Sequence, residues 1–321
     1  MKAIICRGFG PIETLDYADM PDPVAGPGQV VIRVEAAGVN FPDGLLVQGL
    51  YQMRPDAPFV PGMEAVGVVT ALGEGVTGVA VGDRVASIGA LGGYAEMLAA
   101  PVAGLIPVGD MDAADVCALL VAYGTSHHAL KQRAALQAGE TLLVLGAAGA
   151  TGIAAIQIGK ILGARVIAVA SSDDKRKVAR DAGADHVIGY DTLRDDIKAL
   201  TGGRGVDVAF DPVGGEAFDT VARGMARNGR LLVVGFASGT IPKLAVNLTL
   251  VKEFAVVGVF WGNFTRFEPA VYAANMVELL DWYRAGQVTP LIEGRYPLRD
   301  AAAVLTRVLG RGAVGKIVLI P

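Results

Sequence analysis

The sequence predicts a two-domain α/β protein, a β-rich barrel-like unit followed by a doubly wound parallel sheet, and three observations carry that reading. Its 321 residues exceed one typical domain. Apolar residues make up 52% and there are 43 glycines, a composition suited to buried parallel strands joined by many tight turns. The pattern also changes once along the chain, from short strands between turn dipeptides to strands alternating regularly with helices.

From Lys2 to about Ile106, β-rich runs at Gln29–Val39, Glu64–Leu72 and Asp83–Ile88 are broken by Pro-Asp, Pro-Gly and Gly-Asp turns. A short helix fits Phe41–Gln48. Asp112–Leu120 and Tyr123–Gln137 read as two consecutive helices that mark a domain boundary. Strands are then expected at Thr141–Leu145, Arg165–Ala170, His186–Ile188, Val206–Phe210 and Arg230–Val234, alternating with helices at Ala150–Leu162, Asp173–Asp181, Leu193–Leu200 and Gly215–Gly224. Such alternation implies βαβ units and a parallel sheet. Strands near Phe254–Phe260 and at Lys316–Ile320, with helices over Pro269–Ala285 and Leu298–Gly310, complete the sheet and return the chain to the first domain.

A net charge of −4 offers no basic footprint for nucleic acid or an anionic membrane, so small-molecule chemistry is expected. Two cysteines, Cys6 and Cys117, lie far apart with no Cys-x-x-Cys spacing, which fits a reducing cytoplasm and neither a disulfide framework nor a zinc ribbon. The opening residues lack the basic and apolar regions of a signal peptide. Thr141–Gly159 is uncharged and long, but its glycines and its change of periodicity suit a buried strand, turn and helix better than a membrane span.

Chemistry is most legible at Gly146-Ala-Ala-Gly149-Ala-Thr-Gly152, which follows an apolar strand and opens a helix. Glycines there allow a tight turn and close backbone approach, and a helix N-terminus offers unpaired N–H groups to a pyrophosphate. Gly149, Ala150, Thr151 and Gly152 are therefore the candidate phosphate contacts. The end of the second strand, where a site for NAD places a carboxylate on the ribose, carries Ala170-Ser171-Ser172 instead, with Lys175 and Arg176 within one turn. Hydroxyls and a cation suit a 2′-phosphate, which favours NADPH. The alternative is that Ser172 or Asp173 merely caps a helix whose solvated face is Lys175-Arg176-Lys177.

The run from Gly139 through that turn to Gln157 and Lys160 closely resembles the signature of the zinc-independent quinone oxidoreductase/zeta-crystallin branch of the medium-chain dehydrogenase/reductase superfamily. Ala150 departs from it, standing where the pattern has a second glycine. The resemblance extends to Ala37-Gly-Val-Asn40-Phe-Pro-Asp43, to Gln48-Gly-Leu-Tyr51 and Pro61-Gly-Met-Glu64-Ala-Val-Gly67, and downstream to Asp211-Pro-Val-Gly-Gly215, Gly229-Arg230 and Val234-Gly235-Phe236. It implies a GroES-like β-barrel catalytic domain over 1–121 and 263–321, a Rossmann domain over 122–262, and a homodimer. Zinc-dependent relatives carry a cysteine around the place of Asn40 and a histidine at that of Met63, so no metal is expected here.

Without a Lewis acid to polarise an alcohol, electron-poor acceptors remain, namely quinones, enones and enoyl thioesters. The resemblance implies Tyr51 as proton donor and Asn40 as a contact to ribose or substrate. It also implies a nicotinamide-side position for Tyr123 and Thr125 and an aromatic wall at Phe260 and Trp261. Gly235 and Phe236 join the cofactor contacts, Tyr190 would cover the adenosine, and Arg311 would meet the 2′-phosphate. Quinone oxidoreductases often carry another tyrosine where this chain has Leu45, which weakens a quinone-specific reading. Two alternatives stand beside the quinone or enone reductase, an enoyl-CoA reductase and a non-catalytic, crystallin-like NADPH-binding protein.

Overall fold

A computed structural model describes all 321 residues and divides them into two compact units, Met1–Val121 with Leu291–Pro321, and Ala122–Pro290. No helix is long and apolar enough to cross a membrane.

In the first unit, β1 (Lys2–Ile5) and β2 (Asp16–Asp19) form a small antiparallel pair. The main sheet grows around β3 (Gln29–Val39), which pairs antiparallel with both β4 (Glu64–Leu72) and β6 (Met97–Pro101), while β5 (Arg84–Ile88) and β7 (Ile106–Pro107) extend it beyond β4. Most of β3 is buried, so its sequence is a near-continuous apolar run without the alternation of a half-exposed strand. Two short helices, α1 (Phe41–Val47) and α2 (Ala113–Ala118), belong here. Asp112 caps α2 by accepting from the N–H groups of Ala114 and Asp115.

The second unit is a six-stranded parallel sheet. In chain order its elements are α3 (Gly124–His128), β8 (Thr141–Val144), α4 (Ala150–Ile161), β9 (Arg165–Val169), α5 (Asp173–Asp181), β10 (His186–Ile188), α6 (Leu193–Leu200), β11 (Val206–Asp211), α7 (Ala217–Arg223), β12 (Met225–Val233), α8 (Asn247–Lys252), β13 (Ala255–Gly258), α9 (Trp261–Phe267) and α10 (Pro269–Arg284). The spatial order β10-β9-β8-β11-β12-β13 is that of a Rossmann fold, with strand order reversing between β8 and β11. The chain then returns to the first unit through β14 (Ile292–Pro297), α11 (Ala301–Leu309) and β15 (Lys316–Ile320), the last pairing antiparallel with β3.

Two differences from the sequence reading have physical causes. Residues 263–290 pack in the second unit rather than the first, because α10 is tied to the α3 region by Glu278, which meets His127 Nε2 at 2.7 Å and Lys131 Nζ at 2.6 Å, and by Asn275, which accepts from Gln132. The two helices expected at Asp112–Leu120 and Tyr123–Gln137 form one helical run from Ala113 to Arg133, in which Leu119–Tyr123 and Ala129–Arg133 are π-helical turns. A π turn absorbs an extra residue without ending the helix, so the break in periodicity looks like a boundary in the sequence.

Candidate functional site

In the second unit the glycine-rich turn links β8 to α4. Gly146 takes φ +60° to reverse the chain, its N–H donates to the Tyr190 hydroxyl at 3.0 Å, and Ala147 N–H donates to Val169 O, tying the turn to the end of β9. Gly149 caps α4 and accepts the first helical bond from Ile153 N–H at 2.9 Å. The N–H groups of Ala150, Thr151 and Gly152 have no partner in the chain, an array of donors at the positive end of a twelve-residue helix. Gly152 is required by the close approach of helix and turn, since a Cβ there would lie 2.3 Å from the Gly146 carbonyl oxygen.

At the end of β9 the structure shows the capping arrangement. Ser172 does cap α5, accepting from Lys175 N–H at 3.3 Å, and Arg176 and Lys177 are paired along the helix with Asp173 and Asp181. The Arg176 pairing places a cation on Asp173, and Ser171 is exposed at the strand end. The Tyr190 hydroxyl braces the glycine-rich turn itself. Gly235 and Phe236 follow β12 with their backbone held to the end of β11, Gly235 N–H donating to Asp211 O. Asp211 in turn accepts from Val213 and Gly214 at 2.8 Å each, and burial pushes its carboxyl up.

The expected aromatic wall separates into two environments. Phe260 is 46% exposed, whereas Trp261 is buried edge-on against Tyr272, its ring filling the space that a side chain at Gly124 would need. Tyr123 is likewise buried and donates to Gln157 at 2.8 Å, while Thr125 is half-buried one residue beyond Gly124.

The first unit contributes a buried polar cluster built on α1. Asn40 N–H donates to Asp43 Oδ2 at 2.8 Å, closing the first turn. Asn40 Nδ2 donates to Glu64 Oε1 at 3.0 Å, Lys316 Nζ donates to Asn40 Oδ1 at 2.7 Å and also to Glu64 Oε1, and Val121 N–H donates to Glu64 Oε2. Gly38 makes room for this carboxylate, since a Cβ there would lie 1.8 Å from Glu64 Oε1. Tyr94 completes the group by donating to Asp43 Oδ2 at 2.9 Å. Asn40, expected to contact ribose or substrate, is thus already engaged through both side-chain termini. Asp43, Tyr94 and Lys316 had no role assigned from the sequence; the available signal was a lone lysine heading the apolar strand Lys316-Ile-Val-Leu-Ile320.

Tyr51 follows α1, half-buried against the same core, and its hydroxyl makes no hydrogen bond within the chain. Burial, then the charge of Asp43, pushes its phenol above the ordinary range, so it stays protonated at neutral pH. Arg311 is exposed beyond α11 in the first unit, in a left-handed conformation at φ +58°.

The three histidines do not form a metal set, and no group of three or more His, Cys, Asp or Glu side chains could hold an ion. His127 is buried on Glu278, His128 stacks on Phe264 at 3.9 Å, and His186 meets Arg165.

Comparison with known proteins places these features. Residues 26–110 match the alcohol dehydrogenase GroES-like domain and residues 150–279 the zinc-binding dehydrogenase domain. The chain is 37% identical to quinone oxidoreductase-like protein 2 of Rattus norvegicus over 99% of its own length and 91% of that protein. A mycobacterial protein solved with NADPH superposes with a TM-score of 0.94 at 34% identity, all of both chains being covered. The quinone oxidoreductase of Thermus thermophilus, solved alone and with NADPH, gives 0.85 at 32% identity, again over all of both chains. The zinc named in the domain description does not fit the residues present. Both oxygens of Glu64 are committed, and the Lys316 ammonium already sits on Glu64 and Asn40, so the donors that would face a zinc ion are spent and a cation is in place.

Proposed function

The chain belongs to the quinone oxidoreductase branch of the medium-chain dehydrogenase/reductase superfamily, and on that premise we propose that it is an NADPH-dependent reductase of quinones or activated alkenes such as enones, working without zinc. The observation that carries this reading is the unclaimed first turn of α4, where three backbone donors lie under a glycine turn at the switch point of a Rossmann sheet. Ser171, Lys175, Tyr190, Gly235, Phe236 and Arg311 are assigned to NADPH, with Ser171 and Lys175 meeting the 2′-phosphate. Bound NADPH would supply the hydride. Tyr51 supplies the proton to an enone once hydride has added to its β-carbon, since a desolvated phenol with no internal partner is a donor at neutral pH. Asn40 acts by holding the start of α1, and Phe260 rather than Trp261 offers the accessible aromatic face.

The test is consumption of NADPH and of NADH against a quinone, an enone and an enoyl-CoA, with Tyr51→Phe beside wild type. NADPH is expected to outperform NADH, and Tyr51→Phe to lower kcat for enone reduction by about 10²-fold, the usual worth of a positioned acid. A quinone can take its proton from solvent and should lose less. Equal enone rates in the two proteins would remove Tyr51 from the role. Turnover of no acceptor would remove the enzyme reading in favour of a binding protein.

A homodimer and a cytoplasmic location accompany this proposal. Strand β13 ends the parallel sheet, so its outer edge is unpaired, and nearby Val256, Val246, Leu250 and Val251 are exposed. A second copy adding its own β13 would cover that edge. Sedimentation should give twice the mass of one chain, reduced to a single chain by Val256→Glu; a wild-type monomer would contradict it. Two buried free thiols, Cys6 and Cys117, suit a reducing compartment.

A further inference from the structure

The cluster behind Tyr51 has an imbalance of both charge and hydrogen bonds, and both fall on Asp43. Three ionisable groups with buried charge sites meet there, Asp43, Glu64 and Lys316, each no more than 2% exposed. Glu64 and Lys316 are directly paired, and every oxygen of Glu64 has a donor. That leaves Asp43 as a second carboxyl with no cation of its own. Its Oδ2 accepts from Asn40 N–H and Tyr94 Oη, but its Oδ1 is fully buried and has no partner at all. An ionised carboxylate would present that oxygen, with no donor from the chain, to a buried site beside another anion, which is among the costlier arrangements a protein can hold.

We propose, resting on the reductase reading above, that Asp43 is a positioning residue for that reaction: its carboxyl carries a proton where the enzyme works, and losing that proton weakens Tyr51 as the donor to substrate. The groups that face the cluster are Glu64 from β4, Lys316 from β15, Tyr94 from the segment before β6, Cys117 from α2 and Tyr51 beyond α1. Of these Glu64 disfavours the anion of Asp43, Lys316 favours it, and Tyr94 and Cys117 remain neutral because burial holds their protons on. Burial dominates the balance and pushes Asp43 up to about 7, so the carboxyl titrates across the physiological range. Tyr51 feels the result, because a negative Asp43 makes its phenol harder to ionise and therefore a poorer acid. No proton passes between the two residues in this scheme; Asp43 acts on Tyr51 through its field.

The test reads pH profiles of kcat/KM for enone reduction in wild type, Asp43→Asn and Tyr94→Phe. Wild type should fall by about tenfold to a lower plateau as pH rises through about 7. Asp43→Asn should lack that step, whatever its absolute rate. Tyr94→Phe should move the step to higher pH, because the carboxylate loses a donor that favours ionisation. A step that persists unmoved in Asp43→Asn overturns the proposal, as does a Tyr94→Phe profile that shifts downward. Infrared titration of the wild-type holoenzyme keeps the question decidable if Asp43→Asn fails to fold. A buried carboxyl C=O band should be present below the step and vanish above it, shifting in Tyr94→Phe, and its absence at acid pH would overturn the assignment. If no acceptor is turned over, the function falls while the infrared band still decides the proton on Asp43.

Discussion

Replacing Gly152 by valine should weaken NADPH binding by at least two orders of magnitude, a loss of about 3 kcal/mol. The clash is with backbone: a Cβ at this position lies 2.3 Å from Gly146 O and 2.8 Å from the Ala147 Cα, and neither can rotate aside as a flexible side chain would. The helix must lift from the turn, and the N–H groups of Ala150, Thr151 and Gly152 then no longer converge where a pyrophosphate would sit. Some folding stability goes with them, because the same movement disturbs the packing of Ile153 and Ile156 in the buried face of α4. Gly8→Ala is the matched control, since a Cβ there meets nothing within 4 Å. Fluorescence titration with NADPH checks the effect, alongside the melting temperature. Binding within threefold of wild type in a folded Gly152→Val protein would show that this turn is not where the dinucleotide is held.

That prediction could have been made from the sequence, and the reason is locality. Strand, turn and helix are contiguous between Thr141 and Ile161, so glycine spacing and a change of periodicity report one piece of geometry directly. The alternation of the second unit was legible for the same reason, with β8, β9, β10 and β11 falling within a residue or two of their expected limits. What escaped was long-range. Trp261 and Phe260 are adjacent and chemically alike, yet only the arrival of Tyr272 and the absence of a side chain on Gly124 decide that one is buried and the other exposed. The assignment of α10 to the second unit depends on Glu278 meeting His127 across 151 residues. Short elements such as β2 and β14 were not singled out because four to six residues of mixed polarity carry too little pattern.

The polar cluster of the first unit shows the same limit more sharply. Asn40, Asp43 and Glu64 stand in motifs that resemblance picks out, but their partner Lys316 lies 276 residues from Asn40, and Tyr94 lies 51 from Asp43. A lysine at the head of an apolar strand ordinarily snorkels to solvent. Here β15 pairs with the end of β3, placing Ile317 opposite Val39, and that register carries the preceding residue inward to Asn40. Within the chain, Asn40 links the start of α1 to a buried ion pair.

Lys316→Met should therefore be the most destabilising single change in the first unit that leaves side-chain volume nearly intact, costing about 3–5 kcal/mol, the range for removing one partner of a buried pair. Both members are within 2% of complete burial, so water cannot replace the lost ammonium, and Glu64 would be left a buried carboxyl served only by Asn40 Nδ2 and Val121 N–H. The exposed pair Lys177–Asp181 provides the contrast, because solvent screens it and its loss should cost under about 1 kcal/mol. Adding Glu64→Gln to Lys316→Met should recover part of the loss, since a neutral amide removes the stranded charge. Urea denaturation of the four proteins checks this ordering, and a Lys316→Met protein as stable as the Lys177→Met control would show that the pair is not buried in solution. The functional consequence follows from Asn40 Oδ1, which loses its donor in the same variant. With that donor gone, the Asn40 side chain is tied only by its Nδ2 bond to Glu64, so the start of α1 and the position of Tyr51 beyond that helix loosen, and kcat for enone reduction should fall even where NADPH binding is unchanged.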